Sequence, residues 1–139
     1  MSISGPRMRI ALLITDNRDM LRDYSTPAPH FGTTLEALLQ GFARMLELEM
    51  HVVACARARM NSPSKLASNI FFHSLFVPKS GWIRTGYRGC IRAVRRKLKE
   101  IRLDLVLGQG IERDCAISAI FSGFPNVVTI PGNMAALAR

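Results

Sequence analysis

Long apolar runs, paired cysteines and the common nucleotide and zinc spacings are missing from this sequence of 139 residues, and each absence removes a class of protein. Its longest apolar stretches are brief, such as residues 10–14 and 70–72, far below the ~20 residues that a bilayer-spanning helix needs. The first residues lack the charged, then apolar, then small succession of a secretory signal, so a cytoplasmic location is expected. Cys55, Cys90 and Cys115 are odd in number, widely spaced and set among apolar neighbours. They suggest neither a disulfide framework nor a zinc site, and are expected to be reduced core residues. His51 and His73 have no second histidine or carboxylate at metal-ligand spacing in the sequence and are expected to be structural. No metal and no cofactor is expected. No serine-histidine-acid triad or cysteine-histidine pair can be assembled, and there is no internal repeat or linker.

What is present is an apolar fraction of nearly half (48%) and a net charge of +9. A chain of this size and composition can bury a real core as one domain, residues 1–139. The charge is concentrated between Lys79 and Arg102, where nine basic residues face Glu100 alone. Such a segment implies a local anionic partner or a solvated face rather than a generally basic protein.

Apolar patterning gives the architecture. Residues 8–15 are apolar on both alternating faces, as a strand covered on two sides must be. Residues 16–32 form a polar loop too long to be a mere connector, hence a functional candidate. A helix is expected over 33–48, with Thr33 and Glu36 as a capping box and Leu35, Leu38, Leu39, Phe42, Met45 and Leu46 as its apolar stripe. Strands are expected at 52–56 and 70–77, the latter ended by Pro78. The basic segment 86–102 reads as a helix whose apolar stripe is Tyr87, Ile91, Val94, Leu98 and Ile101. A strand at 103–107, a helix at 112–122 and a strand at 127–130 complete the rhythm. Strands alternating with helices in this way predict a Rossmann-like, doubly wound parallel α/β sheet with helices on both faces, a three-layer α/β/α domain.

The strand at 8–15, the helix after it and above all the stretches Asp104-Leu105-Val106-Leu107-Gly108-Gln109-Gly110-Ile111-Glu112-Arg113-Asp114-Cys115-Ala116 and Ser122-Gly123-Phe124-Pro125-Asn126-Val127-Val128-Thr129-Ile130-Pro131-Gly132-Asn133 resemble the N-terminal domain of family 4-like glycosyltransferases. The resemblance implies one half of a GT-B architecture, the acceptor side, moving a hexosyl group from a nucleotide sugar to an acceptor. The donor domain is not in these 139 residues, so the chain alone is expected to be inactive. The family pattern has histidines where this chain has Leu107 and Pro131. Neither side chain can donate a hydrogen bond, which leaves open a second reading, a non-catalytic Rossmann-like binding module.

Ligands of an open parallel sheet lie outside the carboxyl ends of its strands. Candidate substrate contacts are therefore Gly32, the turn of Gly108, Gln109 and Gly110, then Glu112, Arg113 and Gly132. The turn does not meet the G-x-G-x-x-G nucleotide fingerprint, and glycines there also serve turn sterics. Glu112 equally suits the helix dipole. His30, in the long first loop, is a candidate for phosphate contact or proton shuttling. Asp16, Asp19 and Asp23 in the same loop lack the late lysine that a phosphoacceptor pocket needs. On the basic helix, Arg88, Arg92, Arg95, Arg96 and Lys99 are candidates for contact with an anionic membrane surface at the inner face of the membrane. Nucleic acid is not expected, because no helix-turn-helix, RNP or zinc-finger signature accompanies the charge.

Overall fold

The apolar alternation at the start of the chain produces β1 (Met8–Leu13), the central strand of a six-stranded sheet. In a computed structural model that describes residues 7–110 and 113–129, the chain continues through α1 (Asn17–Met20) and α2 (Thr33–Ala43) to β2 (Leu48–Ala56). It then forms β3 (Lys65–Ala67), β4 (Ile70–Phe76), α3 (Arg88–Ile101), β5 (Leu105–Gln109), α4 (Cys115–Ile120) and β6 (Asn126–Thr129). The sheet order is β3-β4-β2-β1-β5-β6, and every pairing is parallel except β3 with β4. This is a Rossmann-like α/β fold. The chain works outward from β1 to β4, and α3 then carries it back to β5 on the other side of β1. The direction of winding reverses between β1 and β5, which is where such sheets bind ligands.

The last four residues of β1 alternate between two cores. Ala11 and Leu13 pack with Val94 and Leu98 of α3 and Ala119 of α4. Ile10 and Leu12 pack with Leu39 of α2, Met50, Val52 and Phe72. A side chain fully buried in this way contributes about 1.5–3 kcal/mol. Two-sided burial is the reason the strand is apolar from Ile10 onward.

The structure moves several expected boundaries. The first long helix stops at Ala43, not Leu48, and Met45 and Leu46 are exposed rather than part of its stripe. The cause is Asn69, which is buried and donates through Nδ2 to the carbonyls of Phe42, Met45 and Leu48 at 3.0–3.1 Å. These bonds satisfy the carbonyls freed at the helix end and let β2 begin at Leu48. The capping box forms only in half: Gly32 is the cap, with no side-chain bond, while Glu36 Oε1 accepts from the Phe31 amide at 3.0 Å. Strand β5 begins two residues later than the expected strand at 103. The short α1 and the edge strand β3 lie in segments read as loops. On α3 the buried stripe is Cys90, Val94 and Leu98, so Cys90 takes a place that spacing had given to Tyr87 and Ile91.

On the α3 side of the sheet, polar side chains link three strands. Arg9 Nε pairs with Glu49 at 3.0 Å, and Glu49 also accepts from His51 Nε2 at 2.8 Å. His51 Nδ1 and His73 Nε2 share a hydrogen bond, 3.0 Å apart. The histidines expected to stand apart are therefore partners, because β2 and β4 are neighbours and their sequence separation conceals it. Burial first, then the charges of His51 and Lys97, lower the His73 pKa to about 4.

Two predictions follow from this packing. The turn before α3 docks so closely that a Cβ on Gly89 would lie 2.5 Å from the Gly81 Cα and 2.9 Å from Val77 Cγ1. Gly89→Ala is expected to cost about 1–3 kcal/mol of stability, read from the urea midpoint; an unchanged midpoint would contradict the contact. Because His73 titrates lower in the folded chain than its ordinary ~6.5, its contribution to stability is complete above pH ~6.5 and is lost as pH falls toward about 4. His73→Gln is expected to flatten the stability curve through that window relative to the wild type, and parallel curves would count against it.

Candidate functional site

The loops leaving β1, β2, β4 and β5 meet at the carboxyl edge of the sheet around charges that are almost entirely buried. Asp16 caps α1 by accepting from the Arg18 amide at 3.0 Å. The same carboxylate takes a forked pair of bonds from the Arg18 guanidinium, Nε at 3.0 Å and Nη2 at 2.7 Å. Both side chains are fully buried. The remaining guanidinium hydrogens reach the carbonyls of Thr26 and Asn61, each at 2.9 Å, and the Ser62 hydroxyl at 2.8 Å. Arg18 thus ties the loop after β1 to the loop after β2, with every donor direction used.

Asp19, one turn on and also fully buried, binds all the neighbouring loops. It accepts from the Tyr24 hydroxyl at 2.7 Å, the Arg57 amide at 2.9 Å and Arg113 Nη2 at 2.5 Å. Arg57 Nη2 also donates to the Asp19 carbonyl at 3.0 Å. The Arg113 guanidinium stacks over Trp82, 4.5 Å from the ring centroid, and Trp82 Nε1 donates to the Val77 carbonyl at 2.9 Å. Burial alone would raise the pKa of Asp19, but the bonds from Arg57, Arg113 and Tyr24 outweigh it and hold the carboxyl below its ordinary range. Arg113 Nη1 and Arg57 Nε have no hydrogen-bond partner although both are buried, so donor capacity remains at this edge.

Beside this network lies a cleft of about 590 Å³ lined by Arg22, Arg57, Lys79, Arg84 and Trp82, with Ser80, Ile83 and Thr85. Four cations and no carboxylate line it. Ile83 of its lining is 74% exposed, and Leu21, which precedes Arg22 in the chain, is 69% exposed. Ser80 and Thr85 also line a second groove that runs onto α3 along Arg88, Arg92 and Arg96. The edge cleft and the basic helix face therefore form one continuous cationic band. Arg88, Arg92, Arg95, Arg96 and Lys99 are exposed, and none forms an ion pair with another described residue.

Of the site residues read from the sequence, His30, Gly32, Gly108, Gln109, Gly110 and Arg113 follow β1 or lie at the end of β5 and just beyond it, and the five cations lie on α3. Gly32 is exposed at the start of α2, and the His30 carbonyl accepts from the Asn17 amide at 2.9 Å. Gly108 faces the helix: a Cβ there would lie 2.8 Å from that of Ala119 and 2.9 Å from the Cys115 carbonyl. Gly110 takes a positive φ of 86° and donates to the Thr129 carbonyl at 2.8 Å, a conformation that favours glycine. Gln109 accepts from the Thr129 hydroxyl. Glu112, Pro131 and Gly132 lie outside the described residues. Of the three aspartates in the first loop, Asp16 and Asp19 are committed to arginines and Asp23 binds Ser25 at the surface, so they do not form a cation-binding trio. Arg18, Arg57 and Trp82 were not singled out as site residues in the sequence; their partners come from distant loops, and only the sheet order brings them together.

Removing Asp19 leaves two arginines without their shared anion in a nearly dry place. Asp19→Ala is expected to cost about 3–5 kcal/mol and to alter the fluorescence of Trp82, the chain's one tryptophan, as Arg113 leaves the ring. A loss below about 1 kcal/mol by chemical denaturation would show that the network is not structural. Compared with family models, with curated proteins and with solved structures, the chain matches none.

Proposed function

We propose that this chain is the acceptor-side domain of a family 4-like glycosyltransferase, one α/β/α half of a GT-B architecture, and that its edge cleft holds an anionic acceptor. In this reading a donor domain, in the same or another chain, presents a nucleotide sugar, and a hexosyl group passes to the acceptor across the carboxyl edge. The observation that carries the proposal is the cleft of Arg22, Arg57, Lys79 and Arg84 beside the reversal of winding. Arginine forks suit phosphate oxygens, and Arg22, Lys79 and Arg84 line the cleft without ion pairs to described residues. The exposed Leu21 and Ile83 suit an acceptor whose anionic head is joined to an apolar portion. The continuous band to α3 would let the same domain rest on an anionic membrane while an acceptor is drawn from it.

One observation favours the second reading, a binding module without chemistry. Leu107 packs against the α2-side core, and two buried carboxylates of the edge, Asp16 and Asp19, are both held by arginine. Neither is free to act as a general base.

The test joins the chain to a donor domain and compares a phosphorylated acceptor with its dephosphorylated counterpart. Transfer is expected to the phosphorylated one, with Lys79→Ala and Arg84→Ala each raising KM about ten- to hundredfold, the value of one charge-assisted hydrogen bond, and leaving kcat nearly unchanged. Binding of the phosphorylated acceptor without transfer, unrelieved by Leu107→His with Pro131→His, selects the binding module. Equal affinity for both acceptors contradicts the anionic site in either reading.

A further inference from the structure

All three cysteines lie on the α3 side of the sheet and are buried and free. Two of them meet a carboxylate. Cys55 of β2, Cys90 of α3 and Asp114, which precedes α4, place a sulfur, a sulfur and a carboxylate oxygen all within 4.8 Å of one another. Each residue is at most 5% exposed. We propose that these three side chains bind a thiophilic divalent cation of the zinc class.

The spacing supports this. Ligands about 2.3 Å from a tetrahedral zinc ion lie about 3.8 Å apart, so each separation needs to close by no more than about 1 Å. The donor set of two sulfurs and one oxygen also fits a borderline-soft ion better than calcium or magnesium, which take oxygen ligands.

The orientation of Asp114 is the second, independent observation. It occupies the N-cap position of α4 yet makes no capping bond to the helix, the bond an aspartate there ordinarily makes. Its carboxylate instead meets the Cys55 thiol, and burial raises its pKa. The adjacent Arg113 guanidinium, which could have neutralised it, is turned toward Asp19 and Trp82. A cation would supply the missing charge. On binding, the two thiols give up their protons to solvent and, with the carboxylate, leave the site with one net negative charge around a divalent ion.

Because the ligands come from β2, from α3 and from the residue before α4, the ion would clamp the sheet to both helices that cover this face. It would lie on the inner side of the Asp19 network and share the segment of Arg113 and Asp114 with it. The ion is thus placed to hold the cleft rather than to contact an acceptor. Three protein ligands leave one position of a tetrahedral ion for water or another donor.

The test titrates Co²⁺, then Zn²⁺, into the reduced 139-residue chain. One equivalent of Co²⁺ is expected to give thiolate-to-cobalt charge-transfer absorption with the visible bands of a tetrahedral site, displaced by Zn²⁺. Zn²⁺ is also expected to raise the melting temperature by binding the folded state. Asp114→Asn, nearly isosteric, is expected to weaken Co²⁺ binding at least tenfold while circular dichroism stays native. Cys55→Ala and Cys90→Ala should abolish the charge-transfer band, and Cys115→Ala should retain it. A folded wild-type chain that binds no Co²⁺ overturns the proposal. So does a spectrum unaffected by Asp114→Asn, or one that depends on Cys115 alone. The readouts do not involve acceptor or sugar nucleotide, so failure here leaves the cleft assignment standing.

Discussion

The bond between Asp19 and Arg113 is the constraint on which the carboxyl edge depends. It joins the loop after β1 to the segment after β5 across the place where the sheet reverses its winding, and Arg57 and Trp82 bring in the loops after β2 and β4. A carboxylate with no exposure is costly to bury unless it is multiply hydrogen-bonded. Asp19 has three such bonds through its carboxylate, and those bonds explain why it stays ionised in a dry site. The Asp16–Arg18 fork holds the same long loop from its other side. The first part of the polar segment 16–32 is therefore fixed by buried ions, while Phe31 at its end enters the α2-side core.

The central strands were legible in the sequence because β1 and β2 are buried over most of their length, on both alternating faces. Residues 8–15 could hardly be anything but a central strand. The basic helix was legible for the opposite reason: its polar face is so charged that only one stripe can turn inward. Boundaries set by a single long-range hydrogen-bonding residue were not legible. Nothing near Ala43 announces that Asn69 will take up the carbonyls there. The same holds for the site. Gly32, Gly108, Gly110 and Arg113 could be placed at the edge by the rule that ligands lie beyond strand ends. Arg57 and Trp82 could not, because their importance lies in partners that only the strand order supplies. Gly108 shows how a sequence signal can be right in place and different in cause: it lies at the edge, and the space its missing side chain leaves is filled by α4.

Charge distribution links the fold to the proposed function. Asp16 and Asp19 at the edge are consumed internally, while Lys79, Arg84 and, on α3, Arg88, Arg92, Arg95, Arg96 and Lys99 are exposed without ion pairs to described residues. The result is a surface whose free charge is of one sign, next to the crossover point of a Rossmann-like sheet, with the exposed Ile83 in its lining. This arrangement suits an anionic molecule with an apolar part better than a neutral sugar. It also explains why Arg57 matters: it lines the cleft and is held in place by Asp19.

The most direct test uses Trp82, which lines the cleft and is the chain's one tryptophan. Inorganic pyrophosphate titrated into the 139-residue chain at low ionic strength is expected to change its fluorescence saturably. The change should weaken with added salt and be strongly reduced by combining Lys79→Ala with Arg84→Ala, but not by Arg95→Ala on the distal face of α3. A titration without a saturable response, or one equally sensitive to Arg95→Ala, would contradict an anion site in this cleft.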